Sequence, residues 1–290
     1  MNPATQEYVT KGAKDICFTI QMALQNDNGA LIGRNGTIEL DCMLKDGQQS
    51  STTLAVLERN AGIFPANMYY KWREASITAT QSANALVTGW YEPLCEAEKA
   101  ALDSWNTWAM KIPLRSLEPY YVDPNYRWTQ FLSEQRVAVV SSFTETARKQ
   151  VEHLSEIWGT NTMLPSDVEW HWVQTGHAPS VAQGRNEWPP HIHTWSQAVD
   201  HVVLEVIRSG ARFALIGCGG LSMPIAKMLK ERGIIAIVLG GAIQILFGIK
   251  GKRWEKHDTI SKFWNDAWIW PSVNETPIGA TGIEGGCYWQ

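Results

Sequence analysis

The chain has 290 residues, of which 44% are hydrophobic and 19% are charged, and its formal net charge at pH 7 is −4. This balance is typical of a globular protein that buries a sizeable core, and it excludes a disordered chain. The slightly acidic balance and the absence of a dense Lys/Arg block argue against a nucleic-acid-binding protein.

The first part of the chain predicts several helices and one short strand. Apolar residues recur at helical spacing over 16–24, 37–45 and 52–60, and each of these ranges is predicted to contain a helix. The apolar run at 30–33 is a predicted strand. We expect a mostly helical insertion over about 62–130.

A second strand–helix unit follows the insertion. The run at 137–141 predicts a strand, and apolar positions over 143–158 predict the helix after it. A further helix is expected to begin at Thr194, because Gln197 stands three residues later in the pattern of a capping box. Gly210 is its predicted end.

The most informative segment is a strand–helix–strand pattern over about 211–254. Two apolar runs, 213–216 and 234–239, flank a helix-like segment at 221–232. The turn after the first run contains Gly217, Gly219 and Gly220. Such a turn lets the backbone approach a phosphate at the positive end of a helix. The segment therefore predicts a phosphorylated ligand.

The apolar stretch at 233–249 has 17 residues, whereas a membrane-spanning helix needs roughly 20. It divides into a predicted strand, a Gly-Gly turn and a short helix. We therefore expect no transmembrane segment.

The same segment lacks the features of common nucleotide cofactor sites. A dinucleotide fingerprint requires a third glycine where this chain has Ser222, and an acid near the end of the second strand, where Leu239 is followed by two glycines. Nicotinamide, flavin and S-adenosylmethionine sites are therefore disfavoured. The P-loop pattern is also absent.

Together these elements predict an α/β fold, namely a Rossmann-like parallel sheet flanked by helices, with a helical insertion, in a single domain over 1–290. The turns after Gly33, Val140 and Ile216 are expected at the carboxyl ends of the strands. In open parallel sheets, ligands bind at that edge.

Cysteine usage and the N-terminal sequence bear on location. The five cysteines are scattered and form no C-x-x-C pair, which predicts free thiols in a reducing compartment. The N-terminal segment contains no apolar signal region. We therefore expect a cytoplasmic protein.

Two segments resemble a known family. LIGRNGTIEL at 31–40 resembles the R-F-G-D-G-E-[LF] signature of GT-D-type glycosyltransferases, which are Rossmann-like enzymes of surface-glycan and polysaccharide biosynthesis. The segment at 214–254, with the tail EGGCYW at 284–289, resembles a C-terminal module of the same broad group. The resemblance covers roughly 31–64, 137–151 and 211–289. It implies a nucleotide-diphosphate sugar as donor and a glycan as acceptor.

The family signature includes a D-x-E element for donor or metal binding, and this chain departs from it. The element reads Thr37-Ile38-Glu39, so only Glu39 retains a carboxylate. One carboxylate is a poor site for Mg²⁺ or Mn²⁺ unless the diphosphate supplies more oxygens. The departure leaves metal dependence open.

The resemblance and the turn positions together define the candidate site. The predicted catalytic residues are Arg34 and Glu39. The predicted donor-binding residues are Gly33, Asn35, Gly36, Ser142, Thr144, Gly217, Gly219, Gly220, Gly240, Gly241, Gln244, Lys250, Lys252 and Arg253. The predicted acceptor-binding residues are His191, His193 and Trp195. No metal ligands are predicted, because the histidines at 171–193 lack the spacing of a zinc site.

The residues alone leave structural alternatives open. Arg34 and Glu39 also suit an ion pair or a helix cap, the glycine turn also suits a tight bend, and Ser142 and Thr144 also suit a helix cap. Two other functions remain at this point. One is another Rossmann-type enzyme, an oxidoreductase or a methyltransferase, and the other is a non-catalytic nucleotide- or glycan-binding module.

Overall fold

The structure, a computed structural model, describes residues 3–45 and 50–290. Seven strands form one sheet: β1 (Ala30–Arg34), β2 (Ala85–Val87), β3 (Met110–Ile112), β4 (Arg136–Ser141), β5 (Glu169–Gln174), β6 (Phe213–Gly217) and β7 (Ile235–Val238). Their spatial order is β3-β2-β1-β7-β6-β4-β5, and every neighbouring pair is parallel. The predicted α/β class with a parallel sheet is therefore confirmed.

The described residues also form α-helices, joined by loops and short 3₁₀ turns. Their bounds are α1 (Pro3–Gln25), α2 (Thr37–Leu44), α3 (Ser51–Ala61), α4 (Tyr69–Gln81), α5 (Cys95–Ser104), α6 (Leu114–Leu117), α7 (Thr144–Gln150), α8 (Leu154–Trp158), α9 (Pro179–Ala182), α10 (Trp195–Ser209), α11 (Ser222–Lys230) and α12 (Ala242–Leu246).

The sheet is buried on both faces. Along β4, Val137 and Val139 belong to one core cluster, whereas Ala138 and Val140 belong to another. Residues of α1, α7, α8 and α12 share the first cluster, and residues of α2–α4, α10 and α11 share the second. This two-sided burial explains why the strands at 137–141, 213–216 and 234–239 read as continuous apolar runs.

The range 62–130 contains helices, as expected, but it also supplies β2 and β3 of the central sheet. Each of these strands has only three residues, too few to show a period of two. The edge strand β5 was also not predicted, because its sequence EWHWVQ mixes polar and aromatic residues.

Helix α10 has the predicted ends. The Thr194 hydroxyl accepts a hydrogen bond from the Gln197 backbone N–H at 3.2 Å, and the Gln197 side chain accepts one from the Thr194 N–H at 3.1 Å. Gly210 ends the helix in the left-handed conformation, with φ +69°. The capping box read from the sequence is therefore confirmed.

The apolar stretch at 233–249 forms β7, a Gly-Gly turn and α12, as predicted. In residues 3–45 and 50–290 there is no helix with both the length and the apolarity to span a membrane.

A buried carboxylate from the C-terminal region caps helix α7. Glu275 is 2% exposed, and its Oε1 accepts hydrogen bonds from the backbone N–H groups of Glu145 (2.7 Å) and Thr146 (3.1 Å). Its Oε2 accepts bonds from the Thr146 hydroxyl and from the Ser272 N–H. The favourable interaction of a negative charge with a helix N-terminus thus fastens the C-terminal region to the sheet.

Glu275→Ala should lower the free energy of unfolding by about 2–4 kcal/mol, because it leaves the buried N–H groups at the start of α7 without partners. Urea unfolding measures this as a lower midpoint at unchanged slope. The exposed Glu255→Ala is the control, with an expected effect within about 0.5 kcal/mol. Equal midpoints for the two variants would contradict the role of Glu275.

Candidate functional site

A cavity of about 1160 Å³ runs along the carboxyl edge of the sheet. Every strand contributes a lining residue at or just after its carboxyl end: Pro113 (β3), Thr88 (β2), Arg34 (β1), Gly240 (β7), Gly217 (β6), Ser142 (β4) and Thr175 (β5). Neighbouring strands lie about 4.8 Å apart, so these ends span roughly 29 Å. The predicted edge of the sheet therefore carries the cavity.

The centre of this edge is a crevice between β1 and β7. Helix α2, which follows β1, packs in one core cluster through Cys42 and Met43. Helix α12, which follows β7, packs in the other through Ile243 and Leu246. Because the chain leaves these adjacent strands toward opposite faces of the sheet, a crevice opens between them, and ligands bind at such positions.

Arg34 lies in this crevice. Its guanidinium carbon is 4.4 Å from the centre of the Trp90 ring. A Cβ added at Gly240 would lie 3.8 Å from the same carbon, so the side chain passes close to the Gly240 backbone. Within residues 3–45 and 50–290, the Arg34 guanidinium forms no hydrogen bond or ion pair. The cation is therefore free to bind an anion in the cavity.

The Glu39 carboxylate lies over the start of its own helix. A side chain at Gly36 would overlap the Glu39 carboxylate, which shows how closely the two residues pack. Burial raises the pKa of Glu39, whereas a bond from its own backbone N–H and the charge of Arg34 lower it. Glu39 lines the cavity, and its carboxylate lies against Gly36, the N-cap residue of α2, without a side-chain capping hydrogen bond.

The glycine turn after β6 is shaped by packing as well as by the cavity. A Cβ at Gly219, where φ is +59°, would lie 3.0 Å from the Ala61 carbonyl oxygen. The Gly220 carbonyl accepts a hydrogen bond from Trp72 Nε1 at 2.8 Å. Gly217 and Gly219 line the cavity, whereas Gly220 faces the interior. Close packing against α3 and α4 is thus sufficient reason for two of the glycines.

Cys218, inside this turn, is not a nucleophile in this environment. Burial raises the pKa of its thiol to about 12, and its backbone N–H donates to the Ser222 hydroxyl at 3.1 Å. The thiol therefore stays protonated at neutral pH.

The C-terminal tail forms one wall of the cavity beside the segment at 250–254. The Arg253 N–H donates to the Cys287 carbonyl at 2.9 Å, and its guanidinium carbon is 4.9 Å from the centre of the Tyr288 ring. Arg253 also forms an ion pair with Glu284 at 3.6 Å. The two parts of the resembling C-terminal module, 214–254 and the tail at 284–289, therefore lie together.

The basic residues after α12 do not converge on one point. Arg253 lines the cavity. Lys250 directs its ammonium toward the Trp264 ring, 5.6 Å from its centre, and Lys252 is exposed outside the cavity lining.

Three buried polar atoms without hydrogen-bond partners belong to residues that line the cavity. They are Gln244 Oε1, His177 Nε2 and Trp90 Nε1, and no described residue pairs with them. The Gln244 amide nitrogen donates to the Tyr288 carbonyl at 3.3 Å, which orients its oxygen. Burial lowers the pKa of His177 to about 4, so its ring is neutral at pH 7. Buried polar groups are nearly always bonded, so these atoms mark polar side chains of the cavity wall that the described residues leave unpaired.

The helix end predicted to bind phosphate through Ser142 and Thr144 is already occupied. Glu275 binds the free N–H groups of α7, and the Thr144 hydroxyl donates to the Gln174 side chain. Ser142 lines the cavity, but its carbonyl accepts from Gln174 at 3.0 Å. An internal carboxylate therefore takes the place that an anion would have at this helix end, while the donor-binding role of Ser142, which lines the cavity, stays a prediction.

Two predicted donor-binding residues beside Arg34 are structural. A Cβ at Gly33 would lie 2.7 Å from the Met223 sulfur, so Gly33 allows β1 to pack against α11. Asn35 is buried, and its amide donates to the Thr80 hydroxyl at 3.3 Å. Neither residue lines the cavity, whereas Gly36 and Gly241 do.

The residues predicted to bind an acceptor lie at the start of α10, outside the cavity lining. The buried Trp195 donates its backbone N–H to the Phe64 carbonyl at 2.6 Å. The His193 N–H donates to the Gln197 side chain at 2.7 Å, and the His191 ring is 6.0 Å from the His201 ring. These residues serve the helix end and its packing.

Several cavity residues were not predicted because they lie in loops or in helical turns too short to show a periodic pattern. They include Trp90, Arg115, Glu118, Tyr121 and His177. The one signal in the sequence is the concentration of charged and aromatic residues at 115–121.

The described residues contain no group of three or more His, Cys, Asp or Glu side chains placed to hold a metal ion.

Comparisons with known proteins give little beyond this geometry. No family model and no curated protein matches the chain. A solved structure described as the selenomethionine-substituted structure of domain of unknown function 1792 matches 93% of this chain and 95% of that chain, at 10% identity and a TM-score of 0.41. A likeness at this level carries no argument about function.

Arg34→Ala should weaken the binding of inorganic pyrophosphate at least about tenfold, because a hydrogen bond to a charged group contributes about 1.5–3 kcal/mol. Isothermal titration calorimetry at fixed ionic strength measures the change. Arg208→Ala, on the exposed face of α10, is the matched control for the loss of one positive charge. Equal affinities for the two variants would contradict the assignment.

Glu118→Gln should raise the melting temperature relative to wild type at pH 8, and it should raise it less at pH 4.5. Burial raises the pKa of Glu118 to about 7, so the folded state keeps a proton that the unfolded chain releases near pH 4.3. The ionisation of Glu118 therefore destabilises the wild-type protein as the pH rises from about 4.3 to about 7. The variant has no carboxyl at this position, so it lacks this loss. Melting temperatures of both proteins at the two pH values test this, and a difference that does not vary with pH would contradict it.

Proposed function

We propose that this protein is a glycosyltransferase that moves a sugar from a nucleotide-diphosphate sugar donor to a glycan acceptor. The observation that carries the proposal is the free guanidinium of Arg34 in the crevice between β1 and β7. An unpaired cation in a cavity at the carboxyl edge of a parallel sheet is suited to a bound diphosphate.

The chemistry of sugar transfer requires stabilisation of the leaving diphosphate, on which negative charge develops. Arg34 supplies a positive charge at the centre of the cavity. Arg253 supplies a second from the C-terminal wall, where it contacts Tyr288 and would exchange its ion pair with Glu284 for the phosphate. Planar guanidinium groups bind phosphate oxygens in pairs, so the two side chains would hold the leaving group.

The cavity also has the size and the surfaces for two sugar-containing ligands. Its volume of about 1160 Å³ exceeds the range of roughly 300–1,000 Å³ typical of one small ligand. Its walls carry the rings of Trp90, Tyr121, Trp254 and Tyr288, and the orphaned polar atoms of Gln244 and His177. Aromatic faces stack on bases and sugars, and polar atoms fix their orientation.

The arrangement of Glu39 does not fit the metal-binding role of the family signature. Its carboxylate is turned onto Gly36 at the start of α2, and Thr37 stands in place of the first acid of the D-x-E element. We therefore assign stabilisation of the diphosphate to the arginines and not to Mg²⁺ or Mn²⁺. Titration of the donor with and without Mn²⁺ measures any contribution of the ion.

The test begins with thermal shift and calorimetry on UDP, GDP, CDP and their common sugars, each with and without Mn²⁺. One diphosphate should bind, and its sugar conjugate should release the diphosphate when glycan acceptors are added. Arg253→Ala should weaken binding about tenfold or more. Its neighbour Lys252→Ala is the matched control and should leave the affinity unchanged, because Lys252 lies outside the cavity lining.

Two outcomes would contradict the proposal in different ways. Binding of a nucleotide sugar without release, across a panel of glycan acceptors, would indicate a non-catalytic binding module. Binding of NAD or S-adenosylmethionine in place of the nucleotide sugars would indicate another Rossmann-type enzyme.

A further inference from the structure

Three carboxyl groups line the cavity, those of Glu39, Glu118 and Glu284. Glu39 is packed on Gly36 at the start of its helix. Glu284 forms the ion pair with Arg253 and accepts a hydrogen bond from the Tyr288 hydroxyl at 3.3 Å. Glu284 is thus engaged by two neighbouring groups, whereas the Glu39 carboxylate lies against the Gly36 backbone at the start of α2.

The Glu118 carboxyl differs from the other two in its surroundings. It follows α6 at the end of the cavity formed by β1, β2 and β3, and it is half-buried. Tyr120, two residues later in the chain, is buried, and its hydroxyl has no hydrogen-bond partner among the described residues. No described group forms an ion pair with Glu118.

Arg34, the central residue of the proposed donor site, lines the same cavity as the Glu118 carboxyl. Arg34 lies at the end of β1, and Glu118 lies directly after α6, which follows β3. A diphosphate bound to Arg34 with its sugar directed toward the β2 and β3 end would bring that sugar to the Glu118 side of the cavity. In an inverting transfer the acceptor hydroxyl attacks the sugar carbon from the face opposite the diphosphate, which is where a base is needed.

We propose that Glu118 is the general base that deprotonates the acceptor hydroxyl in an inverting sugar transfer. The inference rests on the proposed function. As the bond forms between the acceptor oxygen and the anomeric carbon, the bond from that carbon to the phosphate oxygen breaks, and the diphosphate leaves with the electron pair. The acceptor proton passes to the Glu118 carboxylate, which later releases it to water.

The surroundings of Glu118 suit this role at neutral pH. Burial raises its pKa to about 7, while Arg34, the Tyr120 hydroxyl and Arg115 limit the rise. Tyr121 is the remaining titratable group that interacts with it, and burial raises the pKa of that phenol. A base with a pKa near the working pH transfers protons most effectively.

The experiment compares wild type, Glu118→Gln and Glu118→Asp with the nucleotide sugar that wild type turns over, and it measures release of the diphosphate against pH. Glu118→Gln should lower kcat by about 10²–10⁴-fold and change the calorimetric Kd for the nucleoside diphosphate less than about threefold. The rise of wild-type kcat through pH 7 should disappear. Glu118→Asp keeps a carboxylate, so it should retain that rise at a lower kcat, and it serves if the Gln variant does not fold.

Glu92→Gln, on an exposed 3₁₀ turn outside the cavity lining, is the control and should keep the wild-type pH profile. A Glu118→Gln variant with wild-type kcat and pH profile would overturn the role of Glu118 while leaving the glycosyltransferase intact. Wild-type protein that releases no diphosphate from any nucleotide sugar would overturn both.

Discussion

The pairing of β1 with β7 is the interaction on which the rest of the structure depends. Residues 30–32 pair in parallel with residues 235–237, so the first strand of the chain lies at the centre of the sheet beside the last. This pairing brings Arg34 to the backbone of Gly240 and opens the crevice between their following helices. Two segments 200 residues apart in the chain thereby form one site.

The groups that remain to bind an anion in the cavity depend on which helix N-termini are already occupied by carboxylates. The N-terminus of α7 is capped by Glu275, and Glu39 lies over the start of α2. Glu275 thus occupies a helix end that would otherwise attract a phosphate. We propose that a side-chain cation, Arg34 at the centre of the cavity, stabilises a bound anion instead.

The sequence predicts the parts of the fold whose signals are local. The runs that became β1, β4, β6 and β7 were recognisable because buried parallel strands are continuously apolar, and the capping box of α10 depends on adjacent residues. The strands β2, β3 and β5 were missed, since the first two are very short and the third is a polar edge strand. Their identity is fixed by their neighbours in the sheet and not by their own composition.

The residues of the candidate site also divide into those that local sequence signals predict and those that depend on distant parts of the chain. Arg34, Gly240, Gln244 and Arg253 were predicted from their places after strands or in a resembling motif, and all four line the cavity. The placement of Trp90, Glu118 and His177 depends on how separate loops meet over the sheet, which no local pattern encodes. The helix end beside Thr144 could not be recognised as occupied, because Glu275, which bonds the Glu145 N–H, lies 130 residues further along the chain.

The most direct test of the account is a crystal structure with a bound nucleoside diphosphate. The account predicts a phosphate oxygen within hydrogen-bonding distance, about 3 Å, of the Arg34 guanidinium, in the crevice beside Gly240. A diphosphate bound elsewhere on the molecule, with Arg34 unengaged, would contradict it.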